Sequence, residues 1–141
     1  MQIVTTGALD LLEARMKTED PSARVCVNFP LNKWTGTADS AVVYFEVAPG
    51  EHLATHTDSA EEVLYIVTGT GVAEVGDERG RVHAGDLAVV PAMEPHGIVN
   101  DGVETLRVVG FFSESTIVST FAEAIQPIGL ATIEMGAPVP A

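Results

Sequence analysis

The sequence predicts an all-β sandwich or barrel, and three observations carry that expectation. Short runs rich in Val, Ile, Phe and Tyr recur along the chain, turn-forming residues punctuate them at close spacing, and a helical period shows only near the start. At 141 residues the chain fits one domain that can bury a hydrophobic core without disulfides or a structural metal.

Taken in order, Thr5-Thr6-Gly7 precedes a stretch in which Leu9, Leu12 and Met16 fall at i, i+3 and i+7. This predicts a short amphipathic helix capped by Thr6, within an N-terminal extension over residues 1–22. Strands are expected near 23–29, 41–48, 62–67, 70–75, 86–90 and 104–112. Between them lie the turn signals Pro49-Gly50, Gly69-Thr70-Gly71, Gly76-Asp77-Glu78-Arg79-Gly80, Gly85-Asp86 and Asp101-Gly102. No linker interrupts the series, so 23–112 reads as one barrel and 113–141 as a C-terminal strand and tail. Within the tail, Ile117 and Phe121 share a parity and suggest a strand from Ser115 to Ala122. The final stretch from Met135 to Ala141 is expected to be extended, lying across a partner subunit.

Twenty acidic side chains face seven basic ones, for a net charge of −13. That argues against nucleic acid and anionic membrane as partners, since both require clustered Lys and Arg. Between Trp34 and Glu78 there is no Lys or Arg at all. Cys26 is the only cysteine and lies in the apolar run Val25-Cys26-Val27, which suits packing better than nucleophilic chemistry. The start lacks the basic-then-apolar pattern of a signal peptide, and no apolar run approaches the ~20 residues that span a bilayer. The expectation is a soluble, cytoplasmic protein.

The chemistry concentrates in His56, Asp58 and Glu62, answered later by His96. On a strand, residues two apart share a face about 6–7 Å from each other, so His56 and Asp58 point the same way. Glu62 follows a turn, and His96 comes from a different strand. Two imidazoles and two carboxylates can converge on one borderline divalent ion such as Fe, Mn, Ni, Co or Zn, whereas calcium would take oxygen throughout. Taken singly, each residue has a plainer reading: a hydrogen-bonded His56, a turn-forming Asp58, an exposed Glu62, a solvated His96. The joint spacing favours the metal. His52 shares parity with His56, at about 13 Å along a strand, which places it as a substrate contact near the mouth of a site or on the surface. His83 has no evident role beyond structure. Arg107, eleven residues past His96, either grips a carboxylate of a cosubstrate or pairs with Glu104 or an acid on a neighbouring strand.

These residues belong to a longer pattern. Gly50, His56, Asp58, Glu62 and Gly69, followed by Gly85, Pro91, Met93, His96 and Asn100, resemble the two motifs of the cupin superfamily at correct spacing. Eight of the ten positions agree; Asp58 stands where the family has a second His, and Met93 where it has Gly. The resemblance implies a double-stranded β-helix, a jelly-roll barrel, with a divalent transition metal held inside by His56, Asp58, Glu62 and His96. The exchange at Asp58 turns three His and one Glu into two His and two carboxylates. Either this is a ligand set with added negative charge, including the two-His-one-carboxylate trio of non-haem iron oxygenases, or it marks a site that has lost its metal. Glu62 is a fourth ligand or a general base. The family resemblance implies a metal-dependent enzyme of dioxygenase or cyclase/isomerase type, with tailoring of aromatic and polyketide metabolites among the precedents. Its substrate would be a small, largely apolar or aromatic molecule against Leu64, Ile66, Val89, Met93, Val108 and Phe111, with His52 and Arg107 as polar contacts. The alternative is a binding or sensor module without turnover. By analogy with small cupins, a homodimer is expected.

Overall fold

Alternation decides which face of each strand meets the core. Ala41, Val43, Phe45 and Val47 fall on one side of a seven-residue strand and all are buried; Leu106, Val108 and Phe112 do the same on another. A computed structural model describes residues 1–138 of the chain. Among them run β1 (Leu12–Arg15), β2 (Arg24–Leu31), β3 (Ala41–Val47), β4 (His52–Asp58), β5 (Glu62–Thr68) and β6 (Thr70–Val75). There follow β7 (Glu78–His83), β8 (Leu87–Val90), β9 (His96–Val99), β10 (Leu106–Phe112), β11 (Val118–Ile125) and β12 (Leu130–Glu134). They form two six-stranded sheets, ordered β1-β2-β3-β10-β5-β8 and β12-β11-β4-β9-β6-β7. Strand neighbours pair antiparallel, and the crossing of the chain between the two sheets makes the all-β jelly-roll barrel. The core lies between the inner faces, with Ile66, Ile98, Leu106, Val108 and Ile117 fully enclosed.

The amphipathic helix expected near the start is absent. Only a three-residue 3-10 turn, Thr6–Ala8, forms there, and the following residues make β1. Period 2 wins over period 3.6: Ala14 and Met16 turn inward and are buried, while the backbone pairs with β2 and Arg15 bridges to Gln126. Tertiary strand pairing satisfies the same backbone groups that a helix of this length would satisfy only marginally. The suggested strand after Ser115 exists as β11 and continues to Ile125, pairing with both β4 and β12. Met135 is buried and its N–H donates to the Ile117 carbonyl at 2.9 Å; the end of the expected tail, 139–141, lies outside the described residues. Cys26 is half-buried on the outer side of β2, opposite in parity to buried Val25 and Val27, so it does not pack into the core as expected.

The motif glycines Gly50, Gly69 and Gly85 all take positive φ (83°, 84° and 91°), the conformation that L side chains resist. Asn100 is fully buried and ties three segments together. Its amide donates to the carbonyls of Val47 (2.8 Å) and Glu104 (2.7 Å) and its side-chain oxygen accepts from Gly102 N–H at 2.9 Å. Asn100→Ala leaves these groups unpaired in the interior, and a loss of about 2–4 kcal/mol in unfolding free energy is expected by chemical denaturation. Met93 stands where a glycine would fit: its φ is 64°, its side chain is exposed, and its N–H donates to the Asp58 carbonyl at 2.8 Å. Met93→Gly relieves the left-handed strain and is expected to stabilise the protein by ~0.5–1 kcal/mol after the added chain entropy of glycine. A Val at the same position is expected to lower the melting temperature.

Candidate metal centre

Three strands, β4 and β9 of the second sheet and β5 of the first, deliver the motif residues to one point. Across β4 and β9, His56 is the register partner of His96; across β4 and β11, Asp58 faces Ser119 and His56 faces Phe121. Glu62 opens β5 immediately after the turn that ends β4. A register shift between Leu53 and His56 inserts one extra residue into β4. This bulge reverses the parity of the strand: Leu53 faces inward before it, and Ala54, His56 and Asp58 face inward after it. Gly97 permits the close approach of β9, since a Cβ there would meet the Leu53 carbonyl oxygen at 2.6 Å.

His56, Asp58, Glu62 and His96 are all buried. The Nδ1 atoms of His56 and His96 lie 2.8 and 2.9 Å from the carbonyls of Ala54 and Glu94. A carbonyl only accepts, so each Nδ1 carries the proton and each Nε2 is left to face the site. His96 Nε2 lies 3.1 Å from Asp58 Oδ2 and 3.4 Å from Glu62 Oε1, and His56 Nε2 lies 3.6 Å from Asp58 Oδ2. One donor atom each from His56, Asp58 and His96 falls within 4.8 Å of the others. Ligands at about 2.0–2.2 Å from one ion stand roughly 3–3.5 Å apart, so these separations suit a shared cation. Despite its proximity, the His96–Asp58 contact lacks hydrogen-bond alignment: Asp58 Oδ2 and His96 Nε2 are both buried without a hydrogen-bond partner. Donor chemistry, tautomers and these two orphaned atoms together fit a borderline divalent metal. Glu62 meets this trio at His96.

Electrostatics follow from burial and proximity. Burial would raise the Asp58 carboxyl, but the imidazoles of His56 and His96 and the Ser119 hydroxyl hold it well below the usual carboxylate range. Burial pushes the Glu62 carboxyl up, outweighing its contact with His96. For His96, burial works toward the neutral form, yet the two carboxylates overcome it and lift the imidazole to about 10. Without a cation the site therefore keeps a proton on His96 to balance buried negative charge.

Ser119 and Phe121 join the site unannounced by the motifs. Ser119 Oγ donates to Asp58 Oδ1 at 2.5 Å, fixing the carboxylate so that Oδ2 faces the histidines. Phe121 stacks on the His56 ring, centroids 4.6 Å apart and planes within 9°. The parity shared by Ile117 and Phe121 was the available signal, since Ser119 lies between them on the same face. Gly110 of β10 makes room for Glu62, whose carboxylate occupies the space that a Cβ would need. The centre opens onto a cavity of about 60 Å³ lined by apolar side chains, among them Val27, Phe45, Leu53, Leu64, Ile98 and Phe121.

The remaining expected pocket residues lie elsewhere. Ile66 is buried in the core but does not line the cavity, and the same holds for Val108. Met93, Phe111 and Val89 are exposed on the outside of the barrel. Arg107 also points outward and pairs with Glu46 of β3 at 3.8 Å, an acid on a neighbouring strand. His52 precedes the β4 bulge, so it faces an outer crevice with Lys17, Thr55 and Glu74, near Ser22 and Asp20. The parity that equated it with His56 is broken by the extra residue.

Residues 43–112 match the cupin domain family. In structure the chain is similar to an uncharacterised conserved protein with a double-stranded β-helix domain from Klebsiella pneumoniae (TM-score 0.59, 25% identity, covering 67% of this chain and 81% of that one). It is also similar to the polyketide cyclase RemF from Streptomyces resistomycificus (TM-score 0.64, 21% identity, covering 79% and 78%). A third similarity is to an R92A mutant of Bacillus subtilis oxalate decarboxylase OxdC (TM-score 0.60, 22% identity), of which the chain spans only 28% while 70% of its own length is covered. No match to the sequence was found among curated proteins. Motif, sheet topology and family match agree, and the chain belongs to the cupin superfamily.

Proposed function

We propose that the chain is a metal-dependent enzyme acting on a small, largely apolar or aromatic molecule, by cyclase/isomerase-type or dioxygenase-type chemistry. His56, Asp58 and His96 would hold a divalent transition ion (Fe, Mn, Ni, Co or Zn), with Glu62 as fourth ligand or proton acceptor. The observation that carries this reading is the pair of orphaned atoms, Asp58 Oδ2 and His96 Nε2, facing each other in a buried apolar cavity.

A divalent ion bound there supplies Lewis acidity toward a substrate oxygen and, if redox-active, electron transfer. The chain's own residues do the rest. Ala54 and Glu94 lock the histidine tautomers through their carbonyls, and Ser119 holds Asp58 in a single orientation. Glu62, driven toward its protonated form by burial, is suited to hold a proton and return it. The apolar walls exclude water and bind by contact area. Among the described residues no Lys or Arg lines the cavity, so an acid or phosphate ester would find no cationic side chain there. This favours the apolar substrate, in keeping with the cyclase among the relatives in fold and not with the decarboxylase that handles oxalate. A volume of about 60 Å³ holds roughly four to six water-sized groups, so a larger substrate enters only as lining side chains move. A binding module without turnover is the second reading, favoured by the scarcity of polar lining groups other than those facing the centre.

Protein purified without added metal is expected to carry about one transition ion per chain, or to take one up with a rise in melting temperature. His56→Ala and Asp58→Ala are expected to lose at least about tenfold in metal affinity. Absence of binding in the parent would sink the enzyme reading, and oxygen consumption by the iron-loaded protein separates oxygenase from cyclase or isomerase. Binding should also depend on pH with a definite sign. The His96 imidazole is raised in the metal-free fold, so its pairing with the carboxylates stabilises fully below about 6.5 and is lost as pH rises through about 10. A cation must displace that proton. The metal-induced rise in melting temperature is therefore expected to be larger at about pH 8.5 than at about pH 6, measured by calorimetry with saturating metal.

A further inference from the structure

A strand inside a sheet is held by two ladders and an edge strand by one, so the wall of a sandwich yields first where two edges meet. Here β1 ends the first sheet and β12 ends the second. Among the described residues β1 forms a ladder only with β2, and β12 only with β11, which leaves a seam between the two edges. The backbone bonds between β1 and the β11–β12 hairpin are a single pair. Arg15 N–H donates to the Gln126 carbonyl at 2.9 Å, and Gln126 N–H donates to the Arg15 carbonyl at 2.8 Å. Thr18 N–H adds a bond to the Glu123 carboxylate at 3.1 Å, and at the far end Trp34 Nε1–H reaches Glu134 at 3.3 Å. The hairpin is itself loosely tied. β11 leaves β12 after the Thr120–Thr132 pair and leaves β4 after Phe121–His56, rejoining β12 at Ile125–Leu130. Ala122, Glu123 and Ala124 take no register partner on either side and are exposed. Behind the seam, Met16, Ile125, Ile128 and Ile133 wall the cavity of the metal centre. The half-buried lining residues are Phe29, Leu53, Phe121 and Ile128, the rest being buried, and Ile128 stands on the turn of the hairpin.

We propose that this seam is the entry to the metal centre, opened by an outward swing of residues 122–131, and that Ile128 is the gate residue that sets the size of the ligand admitted. The inference rests on the reading of the cavity as a site for an apolar ligand, and deepens it. The cavity measures about 60 Å³. A dry apolar cavity that takes up a benzene ring measures about 150 Å³, so a wall must give before an aromatic ligand fits. The walls differ in what holds them. Moving β2, β3 or β9 breaks ladders on both sides of the strand. Swinging 122–131 as a unit keeps Ile125 paired with Leu130 and breaks the Arg15–Gln126 pair and the Thr18–Glu123 bond. The bond from Ser119 to Asp58 and the stacking of Phe121 on His56 lie before the hinge, so the centre stays assembled while the gate is open. Ile125, Ile128 and Ile133 give the passage branched aliphatic walls, and contact area decides what passes.

N-phenyl-1-naphthylamine, an uncharged aromatic probe whose fluorescence rises in apolar surroundings, reports entry by stopped flow. It needs neither metal nor turnover, so a failed gate and a failed metal test give different results. Methyl resonances of Leu64 and Ile98, both buried on the cavity, shift when the probe sits inside and separate it from probe on the outer surface. Ile128→Ala is expected to speed association about tenfold or more. Val43→Ala, on the same cavity but on a strand laddered on both sides, is expected to leave the rate within about twofold. A disulfide across the seam supplies the converse. Arg15 and Gln126 exchange both backbone bonds, which sets their Cα atoms about 5.5 Å apart, within disulfide reach. In a Cys26→Ser background, Arg15→Cys with Gln126→Cys is expected to slow entry about tenfold or more when oxidised and to recover the parent rate on reduction. Circular dichroism should show every variant folded. Entry as fast in the oxidised as in the reduced protein overturns the proposal, and so does Val43→Ala matching Ile128→Ala. A probe that shifts neither methyl, in the parent and in Ile128→Ala alike, overturns it as well.

Discussion

The structure depends on one constraint: two carboxylates and two imidazoles are buried together in a cavity whose other walls, Ser119 apart, are apolar. An isolated buried carboxylate is expensive, and two of them within reach of each other cannot both stay charged without compensation. The chain compensates with what it has. Ser119 donates to Asp58, and His96 holds a proton well above the ordinary imidazole range. That arrangement still leaves Asp58 Oδ2 and His96 Nε2 without hydrogen bonds, in an interior where satisfied polar groups are the rule. A divalent cation would complete what a proton completes only in part.

Holding those groups in place accounts for several local irregularities. The β4 bulge puts His56 across from His96 and Leu53 into the cavity, a re-aiming of side chains that an unbroken strand would not allow. Gly97 and Gly110 are small because the Leu53 carbonyl and the Glu62 carboxylate occupy the volume of a side chain beside them. Asn100, at the end of β9, fixes the loop into β10 and so the spacing between the His96 strand and the strand beside Glu62. Met93 bears backbone strain in the loop that leads to His96, and its N–H anchors that loop to the end of β4.

The all-β class and the strands that became β2, β3, β5, β6, β8 and β10 were legible because their apolar alternation and glycine-marked turns are local signals. The four motif residues were legible through spacing, and the structure brings His56, Asp58 and His96 within one ion's reach with Glu62 beside His96. What could not be read depends on pairing across the fold. Leu9, Leu12 and Met16 match a helical period, and only the presence of β2 makes Ala14 and Met16 a strand face instead. For His52 the mouth of the site and the surface could not be told apart, because the bulge that turns it outward carries no signature in a period-2 pattern. Outward and inward parity on β10 and β8 was ambiguous where both faces are apolar, and so Phe111 and Val89 were expected inside.

The carboxylate at position 58 bears on the kind of molecule the cavity can hold. Were Glu62 to bind as an ionised fourth ligand, two neutral histidines and two carboxylates would balance a divalent ion, where three histidines and one glutamate would leave one positive charge. A net positive centre in an apolar cavity draws an anion, because nothing else there balances it. A neutral centre exerts no such pull, and the walls around it offer only contact with apolar surface. The acidic stretch around the motif, with no Lys or Arg from Thr35 to Glu78, adds a field that turns polyanions away before they reach the barrel. On the proposed function, site charge, lining and surface field would together select against acids and phosphate esters and in favour of an uncharged, oxygen-bearing apolar ligand.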